Sequence, residues 1–509
     1  MGLNPLDIAS FVGFLALLFG VSLAAARKRR DTTEDYFLAG RELRWWLIGI
    51  SLIASNISTE HFVGLAGRGY EIGLAIASYE WMAAVTMVVV ALYFLPRFLR
   101  AGIFTMPEYL EYRYDGRARS LMAFFMMSAY VLVALATVLY SGALALEAVT
   151  GLPLLRGIWI IGALSGIYVT YGGLRAVVWT ELIQGIALLL GALLVFVLSL
   201  HAVGGWDRFT ELSAGKLHTV LPWNDPEMPW LAVFVGGLWI PNLFYWGLNQ
   251  FITQRALAAR SLSEGQRGTL FAAGIKLTIP FLIVMPGIMA ASIFPGKIGN
   301  PDQAFPVLIR ELVPPGLLGV MLAALFGAVL STFESLLNSA ATIFSLDIYR
   351  RQWRPDAPPA ELLRVGRLAT LVLFLVGCLW APIVGRAPSV FQYIQMFWGF
   401  ISPGIVAAFV VGMLNPRTPP RAAHGAMLLG LPVYGILLWF LPGVAFLHHM
   451  AITFAAVVAY MLWETARHPL AEARVLPVQQ GMDLAPAPHA RLLGGLVVAG
   501  AAILYLWFW

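Results

Sequence analysis

The chain has 509 residues, 60% of them hydrophobic and only 12% charged, with a formal net charge of +6 and a mean hydropathy of +0.78. No water-soluble globule of this length carries that balance, so a soluble enzyme or binding module is excluded and a membrane protein is indicated. The basic residues are spread over many short loops with no single basic face, which leaves a nucleic-acid reading without support.

In chain order, about fourteen apolar runs approach or exceed the roughly 20 residues that cross about 30 Å of hydrocarbon. The first, Ile8 to Ala26, is followed by ARKRR with no small-residue cleavage site, which predicts a retained span and not a cleaved signal peptide. Leu47 to Gly64, Ile72 to Phe94, Leu121 to Leu146, Ile158 to Thr170 and Ala176 to Val203 follow, and then a polar insert at about His201 to Pro229. Beyond it lie Trp230 to Ile252, Leu270 to Phe294, Leu317 to Leu346, Leu368 to Ile383, Val390 to Val411, Ala422 to Phe440 and Met450 to Leu462. A Pro/Ala-rich loop beginning at Glu464 leads to the last run, Leu492 to Trp509. The single cysteine, Cys378, can form no intrachain disulfide.

Basic loops stay on the cytoplasmic side. Arg27, Lys28, Arg29, Arg30, Arg41 and Arg44 fill the first loop. Alternate later loops carry Arg97, Arg100, Arg113, Arg117 and Arg119; Arg255, Arg260 and Arg267; Arg350, Arg351, Arg354, Arg364 and Arg367; and Arg417 and Arg421. Both termini are therefore expected on the extracytoplasmic side.

Several runs are interrupted by polar residues: SNISTEHF in the second, PNLFYWGLNQ in the seventh, Lys276 in the eighth and STFESLLNS in the ninth. Helices broken at membrane depth are tolerated only where the freed backbone lines a cavity or is buried in protein, and in transporters such breaks mark ion and substrate sites. The second and seventh runs lie five elements apart, which suits two five-helix halves of opposite topology. The corresponding division is a peripheral first helix and loop (1–45), a first repeat (46–203), an extracytoplasmic insert (204–228), a second repeat (229–413) and peripheral C-terminal helices (414–509).

A hard monovalent cation takes oxygen ligands. A helix opened at ASNI would free the carbonyls of Ala54 and Ile57, and Ser331 with Thr332 offers two hydroxyls, although such pairs in membrane helices commonly bond back to the preceding turn. Glu80, Glu181, Lys276 and Glu334 fall within or at the edge of spans, where an ionisable group is costly unless paired or wetted. Asn56, His61, Asn242 and Gln395 add neutral donors and acceptors suited to a polyhydroxy ligand, and Tyr245 an aromatic face; interhelical glue is the competing role. The eight histidines form no ligand-spaced metal cluster, and HEXXH is absent.

The blocks SLIASNISTEHFVGLAGRGYEIGLAIASYEWM, TMPEYLEYRY, YGGLRAVVWTELIQ, NLFYWGLNQFITQR and LLNSAATIFSLDIY, running from about Asp35 to Val411, closely resemble the sodium/solute symporter family, best its sodium/glucose cotransporter branch. The resemblance implies an all-α leucine-transporter-type fold of 5+5 inverted repeats. It implies a sodium site at the carbonyls of Ala54, Ile57 and Ala328 and the hydroxyls of Ser331 and Thr332, with Glu181 assisting ion release and Glu334 standing where members coupling a second sodium have a hydroxyl. For a sugar it implies Asn56, His61, Glu80, Asn242, Lys276 and Gln395, with Tyr245 as inner gate and Leu65, Tyr79 and Phe391 closing the outer side. Ala83 and Ala134 stand where some relatives place polar sugar contacts.

The function so implied is import of a galactose- or glucose-type monosaccharide with Na+ as coupling ion, by alternating access, in the cell (inner) membrane. Three rivals stand beside it: the same fold carrying inositol, sialic acid, proline or a nucleobase; a non-transporting sugar sensor, which usually carries a soluble output domain; and an intramembrane enzyme using Glu80 and Lys276 as acid and base.

Overall fold

In the computed structural model, residues 4–27, 37–386 and 390–509 are described, so Lys28, Arg29 and Arg30 of the first basic loop, and Asp35, lie outside the described residues. Among the described residues the structure is helical, its only β pairings being two isolated bridges. The helices are α1 (Pro5–Arg27), α2 (Trp45–Asn56), α3 (Ala66–Ile72), α4 (Leu74–Ala101), α5 (Met106–Arg113), α6 (Gly116–Glu147) and α7 (Leu154–Val203). The second half holds α8 (Trp230–Leu248), α9 (Gln250–Leu257), α10 (Leu262–Lys276), α11 (Val284–Ile293), α12 (Leu317–Trp353), α13 (Pro359–Val384) and α14 (Val390–Leu414). Three more follow: α15 (Pro420–Phe440), α16 (Phe446–Arg467) and α17 (Ala490–Trp507).

Ten described helices are long and apolar enough to cross a membrane, or eleven if the pair on either side of a 43° bend after Lys276 is one span, and three shorter apolar helices match the remaining expected runs. The runs expected separately at Ile158 to Thr170 and Ala176 to Val203 fall within one helix, α7. Burial separates centre from rim. The most apolar 18 residues of α12 are 83% buried, against 28% for those of α15 and of α17. α12 packs on α1, α6, α7 and α13.

Two described spans pair an extended residue with a π-type turn. After Asn56 the backbone turns extended at Ile57 (φ −75°, ψ 97°), whose N–H still reaches the Ile53 carbonyl at 2.8 Å. Ser58 then restarts the helix by accepting from the Glu60 N–H at 3.1 Å, the bond expected of a serine N-cap. A wide π-type turn, His61–Leu65, follows. In α8 the order is reversed: the π-type turn Phe244–Leu248 comes first, and the extended residue Asn249 (φ −83°, ψ 122°) follows it before α9. Close backbone contact holds the first broken span against α11, where a Cβ at Gly287 would stand 2.0 Å from the Ala66 carbonyl oxygen.

Four of the arginines expected in loops, Arg41, Arg113, Arg119 and Arg255, are buried. Arg113 donates to the carbonyls of Gly412, Thr418 and Asn415. Arg119 joins Asp347 at the end of α12 (2.5 Å) to Glu111 of α5 (2.7 Å), and Arg351 meets Glu111 at 2.7 Å. Burial acts to raise the pKa of the Glu111 carboxyl, but hydrogen bonds from Arg119 and Arg351 outweigh it and hold the group below its ordinary value.

Candidate functional site

The breaks put side chains from five helices around one cavity. Asn56 ends α2, His61 opens the turn beyond the break, Tyr79 and Glu80 lie on α4, Asn242 and Tyr245 on α8, Lys276 at the end of α10, and Phe391 and Gln395 on α14. Lys276 is fully buried. An ammonium in that position is costly unless paired, and here it donates to Asn56 Oδ1 and Glu80 Oε2 and stands 4.9 Å over the Trp246 ring. The network runs on through Asn56 Nδ2 to the Tyr245 hydroxyl at 3.0 Å, and through Glu80 Oε1 to His61 Nε2 at 3.4 Å. His61 Nδ1 and Asn242 Nδ2 are buried with no hydrogen-bond partner among the described residues.

Tyr79 and Phe391 meet edge to face, with ring centroids 4.9 Å apart and an interplanar angle of 89°. Gly64 allows this approach, since a Cβ there would stand 3.0 Å from the Phe391 Cβ. The cavity measures ≈ 70 Å³, well under the roughly 300 Å³ at which small-molecule sites begin, so lining side chains must separate before a hexose-sized ligand enters.

Beside the α2 break, the Ser331 hydroxyl donates to the Ala54 carbonyl at 3.1 Å, and the Thr332 hydroxyl to Ser55 O at 3.1 Å. Ala54, Ile57, Ala328, Ser331 and Thr332 are all buried. One turn further along α12, Ser335 donates to Glu181 Oε1 at 2.5 Å. Glu181 is fully buried and paired with Arg255 at 2.5 Å; it also accepts from Ser55 at 2.7 Å and from Ser51. Glu334 is buried with its Oε2 unpartnered among the described residues.

All seven residues expected around a sugar line this one cavity, together with Tyr79 and Phe391 of the expected gate. Leu65, also expected at the gate, is buried but is not among the cavity-lining residues. Arg255, read in sequence as a loop cation, is instead the buried counter-charge of Glu181. Glu60, Pro241, Trp246, Ile394 and Trp398 complete the lining and were not singled out by sequence. The signal for Glu60 was available, since it lies inside the polar run SNISTEHF.

The model of the Sodium:solute symporter family matches residues 36–430. The chain is 39% identical to the Sodium/glucose cotransporter of Vibrio parahaemolyticus, with 100% of this chain and 99% of that protein covered. It is 34% identical to the Sodium/myo-inositol cotransporter 2 of Mus musculus over 84% of this chain and 69% of that protein. In fold it resembles a substrate-bound, outward-open Na+-coupled sialic acid symporter, with a TM-score of 0.82 at 24% identity, covering 94% of this chain and 100% of the other. The nucleobase-cation-symport-1 transporter Mhp1, in a closed conformation, matches with a TM-score of 0.55 at 16% identity, over 86% of this chain and 96% of the other. These relatives are transporters and not enzymes, and the fold is the leucine-transporter type. With a family match across most of its length and a relative aligned end to end, this multi-pass membrane chain belongs to the sodium:solute symporter family and is a sodium-coupled symporter.

Proposed function

We propose that the solute is a monosaccharide of the galactose or glucose type, imported with Na+ by alternating access across the inner membrane, with both termini extracytoplasmic. In this reading Ala54, Ile57, Ala328, Ser331 and Thr332 hold the ion. Asn56, His61, Glu80, Asn242, Lys276 and Gln395 hold the sugar, Tyr245 stacks on its ring, and Tyr79, Phe391 and Leu65 close over it. The observation that carries the reading is the single break after Asn56. Ala54 faces the Ser331 hydroxyl at 3.1 Å, while Asn56, two residues on, bonds to Lys276 and Tyr245 in the cavity. Sodium binding then settles the helix end that positions Asn56, and coupling follows when the ion favours the sugar-competent state. A helix break in each of two spans lying five expected runs apart, at Ile57 and at Asn249, supports two inverted repeats at 46–203 and 229–413, flanked by peripheral segments at 1–45 and 414–509 and separated by the insert 204–228. Glu181 and Glu334 are assigned to coupling, with Glu334 as the position for a proton or second cation, supported by its unpartnered oxygen.

The test is uptake of labelled D-galactose into vesicles containing the purified protein, with and without an inward sodium gradient. Gradient-driven accumulation is expected. Binding without flux would favour a sensor. A second reading, an inositol carrier of the same fold, is favoured by the 34% identity to the mouse Sodium/myo-inositol cotransporter 2; competition of galactose uptake by myo-inositol, N-acetylneuraminate, proline and uracil decides between them.

A further inference from the structure

Two acidic side chains, Glu60 and Glu80, face the cavity with one amine, Lys276, which is committed to Glu80 and Asn56. Glu80 has a second neighbour in His61 at 3.4 Å. Glu60 is held differently. Thr137 on α6 donates to its Oε1 at 2.9 Å, and one turn along the same face of α6 Ser141 shares a hydrogen bond of 2.8 Å with Thr59. Two hydroxyls at helical spacing thus grip two consecutive residues just beyond the helix break. The grip fixes where the Glu60 carboxylate points. Its Oε2 takes part in no hydrogen bond described among these residues, and the side chain keeps accessible surface while Thr59, its neighbour, is buried. A carboxyl group held by one oxygen and open at the other, in a cavity it shares with Asn56, His61, Asn242 and Gln395 as well as with aromatic rings, is an acceptor available to a ligand.

Resting on the function proposed above, we infer that Glu60 is a specificity-determining residue, positioned by Thr137, that selects ligands presenting a hydrogen-bond donor at the α6 side of the cavity. It forms an acceptor pole separate from the Glu80–Lys276–Asn56 pole. A ligand lacking a donor there leaves a buried carboxylate with an empty face, and discrimination arises from that penalty. An amine in place of the hydroxyl is a donor too, so the matching amino sugar is recognised as well.

The experiment is competition of labelled D-galactose uptake in proteoliposomes by each monodeoxygalactose and by the corresponding amino sugars, for the unmodified protein, Glu60→Gln and Thr137→Val. One deoxy analogue should compete about ten-fold worse than galactose in the unmodified protein. Glu60→Gln should shrink that one penalty to within about two-fold, and Thr137→Val should shrink it partway. In both variants the penalties at other positions and the half-saturating sodium concentration should stay put. The amino sugar at the same position should lose ground in Glu60→Gln. An identical penalty profile in all three proteins, or a uniform loss of affinity for every analogue, overturns the inference and leaves Glu60 a structural residue. If the unmodified protein takes up no galactose, glucose or myo-inositol, the substrate reading itself fails, visibly before any variant is compared, and this inference falls with it.

Discussion

Removing the Ser331 hydroxyl is the sharpest perturbation of the proposed ion site, because there the same oxygen would have two roles. Without an ion it donates to the Ala54 carbonyl at 3.1 Å in a fully buried setting, a neutral hydrogen bond worth about 0.5–1.5 kcal/mol net. In the proposed site, with Na+ present, it would turn its lone pair to the cation, an interaction comparable to a charge-assisted bond of about 1.5–3 kcal/mol. Ser331→Ala loses both, so sodium binding should weaken by the difference, about 1–2 kcal/mol, or roughly 5- to 30-fold in half-saturating sodium. The substitution removes one oxygen from a close-packed position and should leave the fold intact. The assay is initial uptake of labelled galactose against sodium concentration, alongside the sodium dependence of the melting temperature, which reports binding without requiring flux. A half-saturating sodium concentration within two-fold of the unmodified protein, by both measures, would refute the assignment of Ser331 as a ligand.

Four further outcomes are expected. Gln395→Ala should raise the half-saturating galactose concentration roughly 3- to 10-fold, the loss of one neutral hydrogen bond, with sodium affinity in the absence of sugar unchanged; equal loss of both would mean general damage. Glu181→Gln strips the buried Arg255 of its counter-charge and should cost about 3–5 kcal/mol of stability, read as a lower melting temperature, and a protein as stable as the original would show that the pair is dispensable. Phe391→Ala removes the ring that meets Tyr79 edge to face and should speed release of bound galactose in a wash-out experiment; an unchanged release rate would place the barrier elsewhere. Because its folded pKa is held down, the Glu111 carboxylate contributes stability above the unfolded carboxylate value of about 4.3 that is lost as pH falls through the lower folded one. The melting temperature should therefore fall more steeply below about pH 4 in the unmodified protein than in Glu111→Gln.

Much of this architecture is legible in sequence because a bilayer imposes length and apolarity on every crossing. The α2 break is legible for the opposite reason: Asn56, Ser58, Thr59, Glu60 and His61 cannot face hydrocarbon, so their presence in an apolar run demands a cavity or protein partners. Arg255 illustrates what stays hidden. An arginine at the end of an apolar run is assigned to a loop by the charge rule, whereas its partner Glu181 lies 74 positions away on another helix. Pairing across space leaves no local pattern. The merger of two expected runs into α7 is similar, since Gly172, Gly173 and Arg175 interrupt apolarity without ending the helix. Glu60 was visible but indistinguishable from its neighbours until Thr137 showed which of its oxygens is held.

The fully buried lysine at the end of α10 grips the very residue with which α2 stops. In the proposed arrangement that one terminus is felt from both directions, and whatever sodium does for the solute, the solute must do for sodium by an equal factor. A cell rich in external solute would thereby load its carrier at a lower salinity than a starved one.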